Sequence, residues 1–263
     1  MDQGANRALW LGNQRNKIQE IRQRPSLRGN TTFVFRCWPV YPSDFICDAN
    51  GNVTDWYGSG EEFARNLADA FDFIQHVENG DGTYGIPYAF MEVGNEPNVV
   101  TPDPNVEPFG GSSAHYNDFF RGFYWGERQV GVSYPLIYAG LSGEFNPNAW
   151  YQDYWVQAHI RDYAAKIGVH IYWHNNGGRE QEFVSGVPAG RYYRWIKRTL
   201  EAAGVGARGL VITEFGTPRP EYGDPSLPAT QQAQIAEECA WWRGTYQDTL
   251  SGWWTEQAFL YVS

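Results

Sequence analysis

The sequence predicts an α/β domain in which a parallel sheet is covered by helices, and three observations carry that prediction. Short apolar runs rich in β-branched and aromatic residues alternate strictly with stretches at helical spacing. The apolar runs are nearly continuous, as strands buried on both faces are. The richest loops, at 39–59, 98–114, 142–148, 174–188 and 217–228, all follow strands, so a parallel barrel would gather them on one face. A length of 263 residues fits one domain spanning 1–263.

The elements follow in order. Residues 31–38 (TTFVFRCW) read as a strand stopped by Pro39. The stretch 61–77 (EEFARNLADAFDFIQHV) sets Phe63, Leu67, Ala70, Phe71 and Ile74 at helical spacing, with Ser59 as N-cap. Strand 88–93 (YAFMEV) ends at Gly94. Next come helix 116–130, strand 136–141 (LIYAGL) and helix 150–167, closed by Gly168. Strand 169–173 (VHIYW), helix 192–203 closed by Gly204, strand 210–215 (LVITEF), helix 229–245 and strand 257–262 (QAFLYV) complete the series. Ahead of them, 8–24 reads as a helix with Leu11, Ile18 and Ile21 on one side. Such alternation leaves a barrel or a doubly wound sheet. No GxGxxG or GxxxxGK(S/T) follows a strand, so the nucleotide-binding version loses support.

Composition narrows the function. Aromatics make up 17% and charged residues 19%, which argues against disorder. A formal net charge of −10 with no basic stripe argues against a nucleic-acid partner. The 12 Trp and 17 Tyr exceed the needs of a core, and aromatic faces pack on sugar C–H faces, although core packing explains most single aromatics. Cys37, Cys47 and Cys239 show no CxxC spacing, so zinc and thioredoxin-like readings fall away; Cys37 and Cys47 could bridge a loop. No HxH near a strand end or tight His/Asp cluster points to a metal, and no cofactor is expected. The N-terminus lacks a basic segment leading into an apolar stretch, and no run reaches transmembrane length, so neither a signal peptide nor a membrane partner is expected in this chain.

Two carboxylates carry the chemistry. Met91-Glu92-Val93-Gly94-Asn95-Glu96-Pro97-Asn98 closes one strand, and Leu210-Val211-Ile212-Thr213-Glu214-Phe215-Gly216 closes another. Each places a Glu at a strand C-terminus. Glycosidic cleavage by double displacement needs two carboxyls about 5 Å apart, one to protonate the leaving oxygen and one to attack the anomeric carbon. Rigid strand ends hold such spacing better than loops do.

Asn95-Glu96-Pro97 resembles the Asn-Glu-Pro signature of clan A retaining glycoside hydrolases, a superfamily of (β/α)8 TIM-barrel enzymes. Thr213-Glu214-Phe215-Gly216 is similar to that clan's nucleophile strand. The clan's acid/base Glu ends the fourth strand and its nucleophile the seventh; with 88–93 as the fourth strand, 210–215 is the seventh. The resemblance implies Glu96 as general acid/base and Glu214 as nucleophile. It implies that Asn95 hydrogen-bonds the sugar 2-hydroxyl. His170 and Tyr172 look like the clan's His-x-Tyr pair, two apart and so on one side of their strand. Arg36 would hold the nucleophile ionised, with a salt bridge in the barrel floor as its other reading; His170 has a second reading as a satisfied core histidine. Trp38, Trp173 and His174 are candidate subsite walls, and His115 reads as a helix-start residue.

The clan's pattern is not fully matched. Its first strand, first helix, most of its second strand and its eighth helix have no counterpart, and Trp253 and Trp254 precede the eighth strand rather than ending it. The expectation is an incomplete barrel running from third to eighth strand, with 31–38 and 257–262 as sheet edges unless a partner covers them: the chain is a fragment, a second copy closes the sheet, or the open arc is tolerated. The implied activity is retaining hydrolysis of O-glycosidic bonds in an oligo- or polysaccharide; the alternative is a catalytically weak carbohydrate-binding barrel.

Overall fold

The computed structural model describes residues 16, 19–20, 33–77, 85, 89–104, 107–141, 154, 160–172, 182–184, 187–188, 200–202, 209–216 and 257–258, with backbone alone at 161, 171–172, 182–184, 187–188, 215–216 and 257–258. Six parallel strands form one sheet: β1 (Phe33–Cys37), β4 (Ala89–Val93), β5 (Leu136–Tyr138), β6 (Lys166–Tyr172), β9 (Leu210–Gly216) and β10 (Gln257–Ala258). Their order in space is β1-β4-β5-β6-β9-β10, each strand pairing parallel with the next. A doubly wound sheet reverses its order at a switch point. Here the order never reverses, so the described sheet winds one way, as a barrel wall does.

Short antiparallel hairpins decorate two of the loops. β2 (Ile46–Cys47) pairs with β3 (Val53–Asp55), and β7 (Glu182–Val184) with β8 (Val187–Pro188). In the first, Asp48 Oδ1 accepts from the backbone N–H of Asn50 at 2.8 Å and of Asn52 at 2.9 Å. That local bonding by an Asp side chain is what holds a turn.

The helix expected over 61–77 is two helices and begins earlier. α1 (Trp56–Asn66) is capped by Asp55, whose Oδ1 accepts from Gly58 N–H at 2.8 Å. Ser59 is therefore not the cap: it is buried inside the helix, and its Oγ accepts from Ile46 N–H at 2.9 Å. The helix breaks at Leu67, and α2 (Ala68–His76) follows. α3 (Ser113–Gln129) starts three residues ahead of the expected 116, because Ser112 caps it by accepting from His115 N–H at 3.3 Å. His115 is thus a first-turn residue, and its ring stacks on Trp56 at 4.4 Å.

Another boundary needs correction. Gly168 does not stop a helix; it lies inside β6, and Ile160–Asp162 just before is a single 3-10 turn. A Cβ at Gly168 would lie 2.9 Å from Tyr138 O and 3.0 Å from Glu92 Oε1. Glycine stands there because neighbouring backbone and a buried carboxylate come close.

The core is aromatic. α3 buries Tyr116, Phe119, Phe120 and Phe123, at helical spacing, among Phe45, Phe63, Phe71, Phe109 and Tyr138. α1 lies so close to α3 that a Cβ at Gly60 would sit 2.0 Å from Phe119 O, and one at Gly122 would sit 2.0 Å from Tyr57 O. Many described aromatics therefore pack the interior, while Trp38 and Trp125 remain exposed. Cys37 and Cys47 are free thiols, so they do not bridge the loop; burial pushes the Cys37 thiol up to about 12. Among the described residues no helix is long and apolar enough to cross a membrane. Asn16, Gln19 and Glu20 are helical, within the helix expected over 8–24. The helices expected over 192–203 and 229–245 lie mostly or wholly outside the described residues, as do half of 150–167 and Cys239, Trp253 and Trp254.

Candidate active site

Parallel pairing brings the C-terminal ends of β1, β4, β6 and β9 together, and each contributes a charged side chain. Arg36 on β1 stands beside Glu92 on β4 in register. Its Nε donates to Glu92 Oε2 at 3.0 Å and its Nη2 to the same oxygen at 2.9 Å. Its Nη1 donates to Glu214 Oε1. Arg36 thus joins both readings: it closes a salt bridge within the sheet and also holds the carboxylate at the end of β9.

Glu214 reaches the cluster through an irregularity. Val169 pairs with Ile212, but His170 pairs with Glu214, so Thr213 is an extra residue in β9. A regular strand sends consecutive side chains to opposite faces, and a bulge re-aims one of them. Thr213 Oγ1 donates to Glu92 Oε1 at 2.7 Å while the adjacent Glu214 meets Arg36 and His170.

Glu96 lies just beyond β4. The chain leaves the strand at Gly94 (φ 86), and Glu96 itself has φ 37. A non-glycine residue in the left-handed region carries strain of roughly 1–3 kcal/mol, which tends to gather at functional sites. Val99 N–H donates to Glu96 O at 2.9 Å, and the Tyr154 hydroxyl reaches Pro97 O at 3.0 Å and Gly111 O at 2.8 Å, tying the loop down.

His170 joins the three carboxylates. Its Nδ1 lies 2.9 Å from Glu96 Oε1 and 3.5 Å from Glu214 Oε2, and its Nε2 lies 3.6 Å from Glu92 Oε1. It is buried, with a relative exposure of 1%. Burial alone would favour the neutral ring, but pairing with Glu92 and Glu96 and the charge of Glu214 raise its pKa to about 9, so it is a cation at neutral pH. Burial would also push Glu92 up, yet His170 and Arg36 outweigh it and hold the carboxyl at about 2. For Arg36 burial opposes the charge, and Glu92 and Glu214 reverse that and raise its pKa. Glu96, His170 and Glu214 each bring a ligand-type atom within 4.8 Å of the others. A cation could reach all three, and protonated His170 supplies such a charge from within the chain.

The structure thus brings Arg36, Glu96, His170 and Glu214 into one cluster, with Asn95 next to Glu96. Asn95 is half-buried, and its Oδ1 is buried without a hydrogen-bond partner among the described residues. Trp38 lies one residue past β1 and is 39% exposed. Tyr172 pairs with Gly216 in the backbone of β6, two residues past His170. Its side chain, and Trp173 and His174 altogether, lie outside the described residues. Glu92 and Thr213 belong to the cluster, although sequence reasoning passed over both. The signal for Glu92 was a lone acid inside the apolar run YAFMEV. A carboxylate buried there needs a partner, and Arg36 in another apolar run is the matching cation.

Scans against models of known protein families find no match, and no curated protein matches the chain. Among solved structures, the chain resembles wild-type BuGH86 in complex with neoagarooctaose at 14% identity and a TM-score of 0.58, covering 95% of this chain and 42% of that one. It also resembles a glucosidase from Croceicoccus marinus at 10% identity and a TM-score of 0.53, covering 93% of this chain and 44% of that one. The chain spans less than half the length of either neighbour. The shared feature is the architecture: the chain is folded as glycoside hydrolases are, in agreement with the clan A resemblance of its Asn95-Glu96-Pro97 and Thr213-Glu214-Phe215-Gly216 segments.

Proposed function

We propose that the chain hydrolyses O-glycosidic bonds of an oligo- or polysaccharide with retention of configuration. The observation that carries this reading is that Glu96 and Glu214, at the C-terminal ends of two parallel strands, have carboxyl oxygens within 4.8 Å of each other. Retaining glycosidases hold their two carboxyls roughly 5–5.5 Å apart, whereas inverting ones need roughly 6.5–9.5 Å to admit a water.

In this mechanism Glu214 attacks the anomeric carbon. Its Oε1 accepts from Arg36 Nη1, which holds the carboxylate in place for that attack. The glycosidic C–O bond breaks as Glu96 delivers its proton to the leaving oxygen. Glycosylation removes the charge of Glu214, so Glu96 can then take a proton from water as that water attacks the same carbon and releases Glu214. His170 lies within reach of both carboxyls and holds their separation. Asn95 donates to the sugar 2-hydroxyl, and Trp38, 39% exposed just past β1, offers an aromatic face.

The neoagarooctaose held by BuGH86 makes that oligosaccharide the first to screen, with aryl glycosides beside it. Glu214→Ala should lose activity on every substrate, and azide should restore turnover with inverted product. Glu96→Ala should keep turnover on aryl glycosides with good leaving groups, and azide should give a product of retained configuration. Exchange of these behaviours reverses the assignment. Binding of sugar with no turnover by the wild type leaves a carbohydrate-binding barrel instead.

A further inference from the structure

One buried acid near the cluster has no part in the proposed reaction. Glu107 lies on the loop between β4 and α3 and is 4% exposed. Its backbone is fixed: its N–H donates to Asp103 O at 3.2 Å, and Gly110 N–H donates to its carbonyl at 3.3 Å. Its side chain is hydrogen-bonded to Asn95. Three titratable groups from other segments face it: Glu96 beyond β4, Glu214 on β9 and His170 on β6.

Two atoms there stand out. Glu107 Oε2 and Asn95 Oδ1 are both buried and meet no hydrogen-bond donor among the described residues. An ionised carboxylate only accepts, and so does an amide oxygen, so neither atom can satisfy the other. Leaving both unmade costs each buried acceptor its desolvation without a bond in return. One proton removes the conflict, because a carboxylic acid and a primary carboxamide form a closed ring of two hydrogen bonds.

We propose that Glu107 carries a proton and is a positioning residue, closing an acid–carboxamide pair with Asn95 in which Glu107 Oε2–H donates to Asn95 Oδ1 and Asn95 Nδ2–H donates to Glu107 Oε1. Burial, then the charge of Glu96, pushes the Glu107 carboxyl up to about 8, in the direction the pair requires. For its consequence in catalysis the inference rests on the glycosidase reading. Asn95 would spend its carbonyl and one N–H on Glu107 and present only its second N–H to the sugar. The site would then select a hydroxyl that accepts, and would hold the amide still against it.

The test uses the full chain labelled with 13Cδ-glutamate and 15N-asparagine, followed by NMR across pH. The Glu107 resonance is assigned by its loss in Glu107→Gln. It should titrate above neutral pH, and the Asn95 side-chain amide resonances should shift with the same midpoint. A Glu107 midpoint below neutral pH, or Asn95 amides that ignore the titration, overturns the pair. On an aryl glycoside that the wild type cleaves, Glu107→Gln, which keeps a donor and an acceptor without charge, should retain at least tenfold more turnover than Glu107→Leu. Equal loss in the two variants overturns the positioning role. The titration needs no substrate: a chain that cleaves no glycoside yet shows the shared midpoint loses the proposed function and keeps the pair.

Discussion

His170 depends on a glycine just past β5, the strand next to the one that leads to Glu96. A Cβ at Gly140 would lie 2.2 Å from His170 Cδ2 and 2.7 Å from Nε2. Gly140→Ala therefore has to turn the ring away from Glu96 and Glu214. A misplacement near 1 Å in a catalytic array can cost about 10²-fold in rate. We expect kcat on a cleaved glycoside to fall by about that factor while the circular dichroism spectrum stays that of the wild type; unchanged turnover would separate His170 from the proposed reaction. Glu92→Leu tests the other side of the cluster. It takes a buried carboxylate partner from half-buried Arg36, and removing one partner of a buried pair costs about 3–5 kcal/mol. Urea denaturation should show a loss of that size, and a loss below about 1 kcal/mol would mean that water already screens the pair. At this scale Glu96 and Glu214 were legible because each ends a strand inside a recognisable segment. Glu107 was not, because its partner Asn95 is reached only once the loop between β4 and α3 has folded back.

Among the elements, β9 and the α1–α3 contact do the positioning. The extra residue Thr213 lets β9 send two neighbouring side chains toward the same cluster. Nothing in the run LVITEF marks that bulge, since it arises from pairing with β6 and not from local propensity. The helix and strand types were readable from periodicity, but boundaries were not. The helix expected to run to 167 gives way to β6 at Lys166, because tertiary pairing with β5 and β9 takes those residues. The α1–α3 contact yields a direct prediction. Gly122 has no room for a methyl group, with Tyr57 O at 2.0 Å from the Cβ position. Gly122→Ala should force the helices apart and cost roughly 1–3 kcal/mol, although alanine favours a helix. A lowered denaturation midpoint with unchanged helix content is the expected reading. A rise in stability would show that the helices can slide at no cost.

For the whole molecule, the winding direction could not be read from alternation alone, which suits a barrel and a doubly wound sheet equally; the spatial order β1-β4-β5-β6-β9-β10 decides it. That winding concentrates buried acids and bases around one sheet end, and their titration sets how stability varies with pH. Glu92 is held at about 2, below its ordinary 4.5, so its contribution is complete above pH 4.5 and is lost as pH falls through about 2. His170 is raised from 6.5 to about 9, so its contribution is complete below pH 6.5 and is lost as pH rises through about 9. Burial raises Glu107 and Glu127 from 4.5 to about 8; the folded chain binds their protons more tightly, and stability therefore falls from pH 4.5 upward until about 8. Of these four groups, one weakens the fold on the acid side of pH 4.5 and three weaken it on the alkaline side. Urea midpoints should thus peak near pH 4.5 and decline steadily toward pH 9, unlike the broad neutral maximum common among proteins. Glu127→Gln, remote from the proposed chemistry on α3, should flatten the decline between about pH 5 and 8 without moving the acid limb. Midpoints that rise over that interval in the wild type would mean that Glu107 and Glu127 are ionised at little cost in the folded chain.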